Sequence, residues 1–139
     1  MQSSMTQDQI AEYLRHPLVG RLATSRDSWP HVVPVWFEFD GTYAWVPSPA
    51  TSRKVRNIKR NNRVALVVDT FGDDWSEYAQ VMIAGTAELL PDTKDLSQTL
   101  RIFGRYLGNR ANKAEVLLSS KRLIIRIKPA RIIAIRGEL

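Results

Sequence analysis

The sequence predicts a mainly β domain with flanking helices (α+β): six or seven antiparallel strands half-closed into a small barrel. Three observations carry this. Short segments alternate apolar and polar residues at strand period, as in Val33-x-Val35-x-Phe37-x-Phe39 and Val64-x-Leu66-x-Val68. Turn pairs such as Asp27-Ser28 and Asp40-Gly41 separate such segments at hairpin spacing. Helical periodicity is confined to the start, the middle and the later part of the chain. Antiparallel strands in this number tend to close to hide their edges.

Taken in order, Thr6-Gln-Asp-Gln9 reads as a capping box before Ile10, Ala11 and Leu14, and Pro17 stops that helix. Val19 to Ser25 is a strand, followed by the Asp27-Ser28 turn. The run His31 to Phe39 puts Val33, Val35, Phe37 and Phe39 on one face, and Pro34 within it marks an edge strand or a bulge. Asp40-Gly41 turns the chain into Tyr43–Val46, and Pro47 to Ala50 reads as an irregular loop leading to a basic helix. Arg63 to Thr70 is a strand, 71–78 an acidic loop, and Ala79 to Leu90 a long strand in which Gly85 marks a bend or close approach. Leu96, Leu100, Phe103 and Leu107 define one face of an amphipathic helix ended by Gly108. A short helix over 112–119 and two last strands, Arg122–Lys128 and Arg131–Arg136 separated by Pro129, complete the reading.

Residues 1–139 read as a single domain, with 44% hydrophobic and 24% charged residues, which is ordinary globular composition. The chain has no cysteine and only two histidines, His16 and His31, so no metal site is expected. No apolar run approaches a membrane span and no signal peptide is visible, so the expected location is cytoplasmic with no membrane partner. The net charge of +6 and pI near 10.0 favour an anionic partner. Its distribution is uneven: Asp69, Asp73, Asp74, Glu77, Glu88, Asp92 and Asp95 face a single Lys94, whereas the cations gather in 53–63 and after 100.

The basic segment holds the most informative chemistry. Arg53, Lys54, Arg56, Lys59, Arg60 and Arg63 lie together with no acid among them. Thr51 or Ser52 serves as N-cap, and Val55 and Ile58 supply the apolar stripe. Arg53 and Lys54 then fall in the first turn, where the helix dipole disfavours cations, and Val55 occupies the place where a capping box wants Glu or Gln. A solvated basic face is the ordinary reading of a charge run. Local helix chemistry here asks instead for something negative at that end: open N–H groups, a hydroxyl, an Arg and a Lys make a phosphate site. No nucleophile elbow, Walker sequence or dinucleotide fingerprint occurs. Trp29, Trp36, Trp45 and Trp75 are numerous for the length and read as core or dimer contacts, with one available to stack on a planar ring.

The ordered landmarks Pro30-His-Val-Val-Pro-Val-Trp36, Asp40-Gly41, Ser52-Arg-Lys54, Asn62-x-Val64-Ala-Leu66 and Gln80-Val-x-x-x-Gly85-Thr-Ala resemble the pyridoxamine 5′-phosphate oxidase-related FMN-binding split-barrel family. Within it the chain is most similar to the small branch that binds the deazaflavin coenzyme F420 or FMN. The resemblance implies a homodimeric split barrel with the cofactor at the dimer interface. By position, Ser52, Arg53 and Lys54 match the phosphate-binding stretch, and Val33, Pro34 and Val35 match the strand along the flavin ring. Ser48, Ala50 and Thr51 match the loop beside the ribityl chain, and Gln80 a residue reaching the cofactor from the second subunit. The chain shows no C-terminal Arg- and His-bearing substrate motif, which counts against vitamin B6 oxidation.

The leading reading is thus an FMN- or F420-dependent oxidoreductase, reducing a small conjugated substrate, with no catalytic side chain named because the cofactor carries the hydride. A non-catalytic flavin- or haem-binding protein of the same fold is the alternative. A nucleic-acid-binding small barrel is the third, disfavoured because the basic residues are not interleaved with aromatics in a stacking pattern.

Overall fold

The computed structural model describes residues 2–108, 110 and 121–138. In chain order the elements are β1 (Gln2–Ser4), α1 (Gln7–Leu14), β2 (Gly20–Arg26), β3 (Trp29–Val35), β4 (Glu38–Phe39), β5 (Ala44–Pro49), α2 (Arg53–Arg60), β6 (Arg63–Thr70), β7 (Ala79–Leu90), α3 (Ser97–Leu107) and β8 (Arg122–Gly137). The expected helix at 112–119 lies outside the described residues. One antiparallel sheet runs in the order β3-β2-β6-β7-β8-β5-β4, and β1 adds to β8. The end strands β3 and β4 are consecutive in sequence, with only Trp36 and Phe37 between them. The sheet must therefore curl until its two ends meet, yet they are not paired. This open seam makes the barrel split.

The inner face is filled by Leu22, Phe37, Val46, Leu66, Ile83, Ile125 and Ile127, all at 0 or 1% exposure. Each such side chain contributes about 1.5–3 kcal/mol of burial. Helix α1 packs Leu14 into this core, and its capping box forms as expected: Gln9 N–H donates to Thr6 Oγ1 at 3.2 Å, and Thr6 N–H to Gln9 Oε1 at 2.8 Å. Arg105 of α3 donates to the carbonyls of Leu14, Arg15, His16 and Phe37, tying the end of α1 to the seam.

Several expectations hold in detail. Strands β6 and β7 have the predicted bounds. Pro34 sits on an edge strand, because β3 ends the sheet. Asp27 and Ser28, at φ 52° and 65°, form a two-residue hairpin loop.

Five expectations are corrected. The run His31 to Phe39 is not one strand but two, β3 and β4, parted at Trp36-Phe37 so that they end opposite edges of the sheet. Pro47-Ser48-Pro49 is not an irregular loop but the end of β5, paired with Ile124, Leu123 and Arg122. The two prolines are two residues apart and so withhold N–H groups on one side only, where β4 is too short to need them. The expected last two strands are one, because Pro129 falls at a register shift opposite Gly85, whose bare Cα admits the Lys128 carbonyl. The Asp40-Gly41 turn is looser than a two-residue hairpin: Asp40 Oδ1 accepts from the N–H groups of Thr42 and Tyr43, closing a four-residue loop. Finally, α3 buries Phe103 of the 96/100/103/107 stripe together with Thr99 and Ile102, while Leu96, Leu100 and Leu107 are only half-buried and Tyr106 donates to the carbonyls of Leu18 and Phe37. None of the four tryptophans belongs to the fully buried core. Among the described residues, no helix is long and apolar enough to cross a membrane.

Candidate functional site

Helix α2 is pinned on its inner side by Val55 and Ile58, both buried, and by buried Asn57, whose amide donates to Thr24 Oγ1 on β2 at 3.0 Å. Its start is anomalous in the way its sequence requires. Ser52 is the N-cap, but its side chain makes no hydrogen bond to the helix, and no acid lies in the first turn. The first-turn N–H groups consequently have no side-chain cap. Ser52 Oγ instead lies 2.9 Å from Ser48 Oγ, and the buried Ser48 hydroxyl donates to the Pro49 carbonyl.

Successive helical residues point about 100° apart, so Arg53 and Lys54 part company. Lys54 turns towards the seam, into a cavity of about 310 Å³ lined by Val19, Pro34, Val35, Trp36, Pro47, Lys54 and Phe103. Trp36 stacks on Tyr106 at 4.8 Å and meets Phe103 edge-on at 5.2 Å, which makes a rigid aromatic wall. Arg53 turns the other way, into a second cavity of about 480 Å³ with Arg26, Asp27, Arg56, Asn57, Trp29, Pro30 and His31, where the Asp27 carboxylate lies 3.7 Å from Arg26 and from Arg60. Among the described residues, the buried His31 Nδ1 has no hydrogen-bond partner.

Burial lowers the proton affinity of Lys54, and the charge of Arg122 lowers it further. Arg122 is itself lowered by burial, and its guanidinium lies 5.4 Å over the Phe103 ring. Two desolvated cations with open helix N–H groups suit a phosphate, and the flat apolar walls beside them suit a conjugated ring. The residues present fit a phosphorylated flavin-type cofactor.

Of the positions singled out from sequence, Pro34, Val35 and Lys54 meet in the first cavity. Val33 packs against the core and does not line this cavity. Ser48, Ala50, Thr51 and Ser52 form the approach to α2. Arg53 serves the second cavity, and Gln80, on β7, lines neither cavity of its own chain. Pro47, Phe103 and Arg122 were not foreseen: Pro47 comes from the strand just before α2, and Phe103 and Arg122 arrive from distant segments and carry no local signal.

The chain is a split barrel with a cation-rich helix end beside an apolar slot at its seam. The chain belongs to the pyridoxamine 5′-phosphate oxidase family, whose pattern it matches over residues 6–136. It is 42% identical over 92 residues to a 5a,11a-dehydrotetracycline/5a,11a-dehydrooxytetracycline reductase of Streptomyces rimosus subsp. rimosus, a match covering 62% of this chain and 64% of that one. Its structure is similar to the conserved hypothetical protein Rv2991 of Mycobacterium tuberculosis (TM-score 0.80, 26% identity, covering 95% of this chain and 85% of that one). It is also similar to an F420 reductase (TM-score 0.68, 29% identity, 87% and 93%).

Proposed function

We propose that the protein is a homodimeric flavin- or deazaflavin-dependent reductase of a small conjugated molecule. The observation that carries this is the uncapped start of α2 with desolvated Lys54 directed into the apolar seam cavity. When bound, the cofactor supplies the hydride chemistry. The chain supplies the rest: Lys54, Ser52 and the first-turn N–H groups hold the phosphate, and the backbone of Val33, Pro34 and Val35 fixes the ring edge. Trp36, Pro47 and Phe103 exclude water from one face. The reductase relative, named for dehydro substrates, supports a conjugated carbon–carbon double bond as the group reduced.

FMN and coenzyme F420 both satisfy the phosphate anchor. The second cavity favours F420, because Arg53 and Arg56, in excess over the Arg26–Asp27 pair beside them, suit a longer anionic tail that FMN lacks.

The dimer is supported by the outer face of the sheet. Val32, Ala23, Ala65 and Ala84 stand in one row across β3-β2-β6-β7, and Val67, Met82 and Ile133 in the next across β6-β7-β8. Val32 is 64% exposed, and such a contiguous apolar face marks an interaction surface. A second copy is the partner that the family resemblance implies, and Gln80 lies on this same face.

The test is ligand discrimination. Lys54→Glu is expected to weaken FMN binding far more than riboflavin binding, since a charge-assisted bond to phosphate is worth about 1.5–3 kcal/mol and reversal adds repulsion. Equal losses for both would place the phosphate elsewhere. A non-catalytic flavin or haem carrier is the second reading, favoured by one observation: among the described residues, Lys54 is the only ionisable group lining the seam cavity. Flavin or deazaflavin absorption that bleaches on reduction and recovers with a conjugated acceptor supports the reductase. A Soret band, or a flavin that no acceptor reoxidises, supports the carrier.

A further inference from the structure

We propose that Arg122 is the second cation of the phosphate anchor, closing on the phosphate from the strand side while Lys54 closes from the helix side. The inference rests on the reading of Lys54 given above and adds a residue from the far end of the chain.

Arg122 opens β8, where the sheet runs directly beside the approach to α2. It stands opposite Pro49, and the Ala50 N–H donates to the carbonyl of its neighbour Lys121 at 2.9 Å. The backbone that delivers Ser52 and Lys54 is thus stitched to the backbone that delivers Arg122. The Arg122 guanidinium lies 5.4 Å over the ring of Phe103, and Phe103 lines the same cavity as Lys54. Stacking uses the flat face of a guanidinium, and its N–H donors lie at the edge in a fork that matches phosphate oxygens.

Charge gives the second argument. Lys54 has no carboxylate partner among the described residues, and the one charged group that opposes its protonation is Arg122. Burial and the Arg122 charge both disfavour the Lys54 ammonium in the ligand-free fold. A phosphate between the two cations converts that repulsion into two attractions. Arg53, the neighbour of Lys54 in sequence, does not meet this need, because it turns into the second cavity.

The experiment titrates the Arg122→Met, Arg122→Lys and Lys54→Met proteins with FMN and with riboflavin, following flavin fluorescence. Thermal melts with and without inorganic phosphate run in parallel. Arg122→Met is expected to lose about tenfold or more in FMN affinity and less than about twofold for riboflavin, the scale of one charge-assisted bond. Arg122→Lys should recover part of the FMN affinity, and phosphate should raise the melting temperature of the unsubstituted protein more than that of Arg122→Met. If Lys54→Met discriminates between the ligands while Arg122→Met loses both equally or neither, Arg122 is not an anchor. If Lys54→Met fails to discriminate as well, the phosphate reading itself falls, and this inference with it.

Discussion

Asn57 Nδ2 donates to Thr24 Oγ1 across 3.0 Å, and both side chains are buried. This bond joins the basic helix to β2 and fixes the rotation of α2, and so decides which flank carries Lys54. Asn57→Leu strands the Thr24 hydroxyl in the interior, and about 1–3 kcal/mol of stability should be lost. Adding Thr24→Val removes the stranded group and should restore part of it. Urea midpoints of the two single variants and the double variant check this; strictly additive losses would show that the two side chains are not coupled.

Gly85 supports a second prediction. A Cβ there would stand 2.0 Å from the Lys128 carbonyl oxygen and 2.9 Å from its carbon. That backbone cannot retreat easily, because Pro129 is the register partner of Gly85 at the shift in β7–β8 pairing. Gly85→Ala is expected to cost at least about 1–3 kcal/mol, the range for overpacking. An unchanged melting temperature would mean that β8 does not pass so close.

These two contacts show what the sequence could and could not reveal. The bounds of β6 and β7 were legible because their inward residues alternate without interruption, and Gly85 itself advertised a close approach. The partner it approaches was not legible: Pro129 reads locally as a strand break and becomes tolerable only opposite a glycine 44 positions away. Pro47 and Pro49 misled in the same way, since a proline is harmless on the open side of β5. In the site, Ser52 to Lys54 stood out because a cationic, acid-free first turn is unfavourable on local grounds. Phe103 and Arg122 have ordinary local roles, on an amphipathic helix and an alternating strand. Only the curl of the sheet brings them to Lys54.

Lys54 also makes stability depend on pH. Burial first, and Arg122 second, hold its proton affinity in the folded chain below the ordinary value of 10.5. Between the folded and unfolded values the unfolded chain binds more protons, so stability rises with pH through that window. Below it the full cost of a desolvated charge is present. Ligand-free Lys54→Met should therefore be the more stable protein near neutral pH, by less than about 1 kcal/mol after solvent screening. The advantage should shrink as pH approaches about 10. Urea denaturation at both pH values checks this, and an advantage that grows with pH would reverse the sign of the argument.

The outer sheet face predicts the oligomeric state. Met82 stands between Val67 and Ile133 on that face, away from the core and from both cavities. Sedimentation at micromolar concentration should give twice the 15.8 kDa chain mass, and Met82→Glu should halve it while leaving the fold intact by circular dichroism. A Met82→Glu protein that remains a dimer would move the interface to another surface.

Gln80 connects that interface to the site. On its own chain it lines neither cavity, and it shares a strand face with Met82 and Ala84. The Tyr78 hydroxyl donates to Gln80 Oε1 at 2.5 Å, and Tyr78 is held by stacking on Trp75 at 4.7 Å. With its oxygen engaged, the amide presents its NH₂ as a donor, the role required to reach an acceptor on a flavin ring edge. If Gln80 serves the cofactor of the other chain, each site draws Lys54 from one chain and Gln80 from its partner. A mixed dimer of a Gln80→Ala chain and a Lys54→Glu chain then holds one site with both lesions and one intact site. Titration should reveal one site per mixed dimer at unsubstituted affinity. If Gln80 acts only within its own chain, every site carries one lesion and no such site appears.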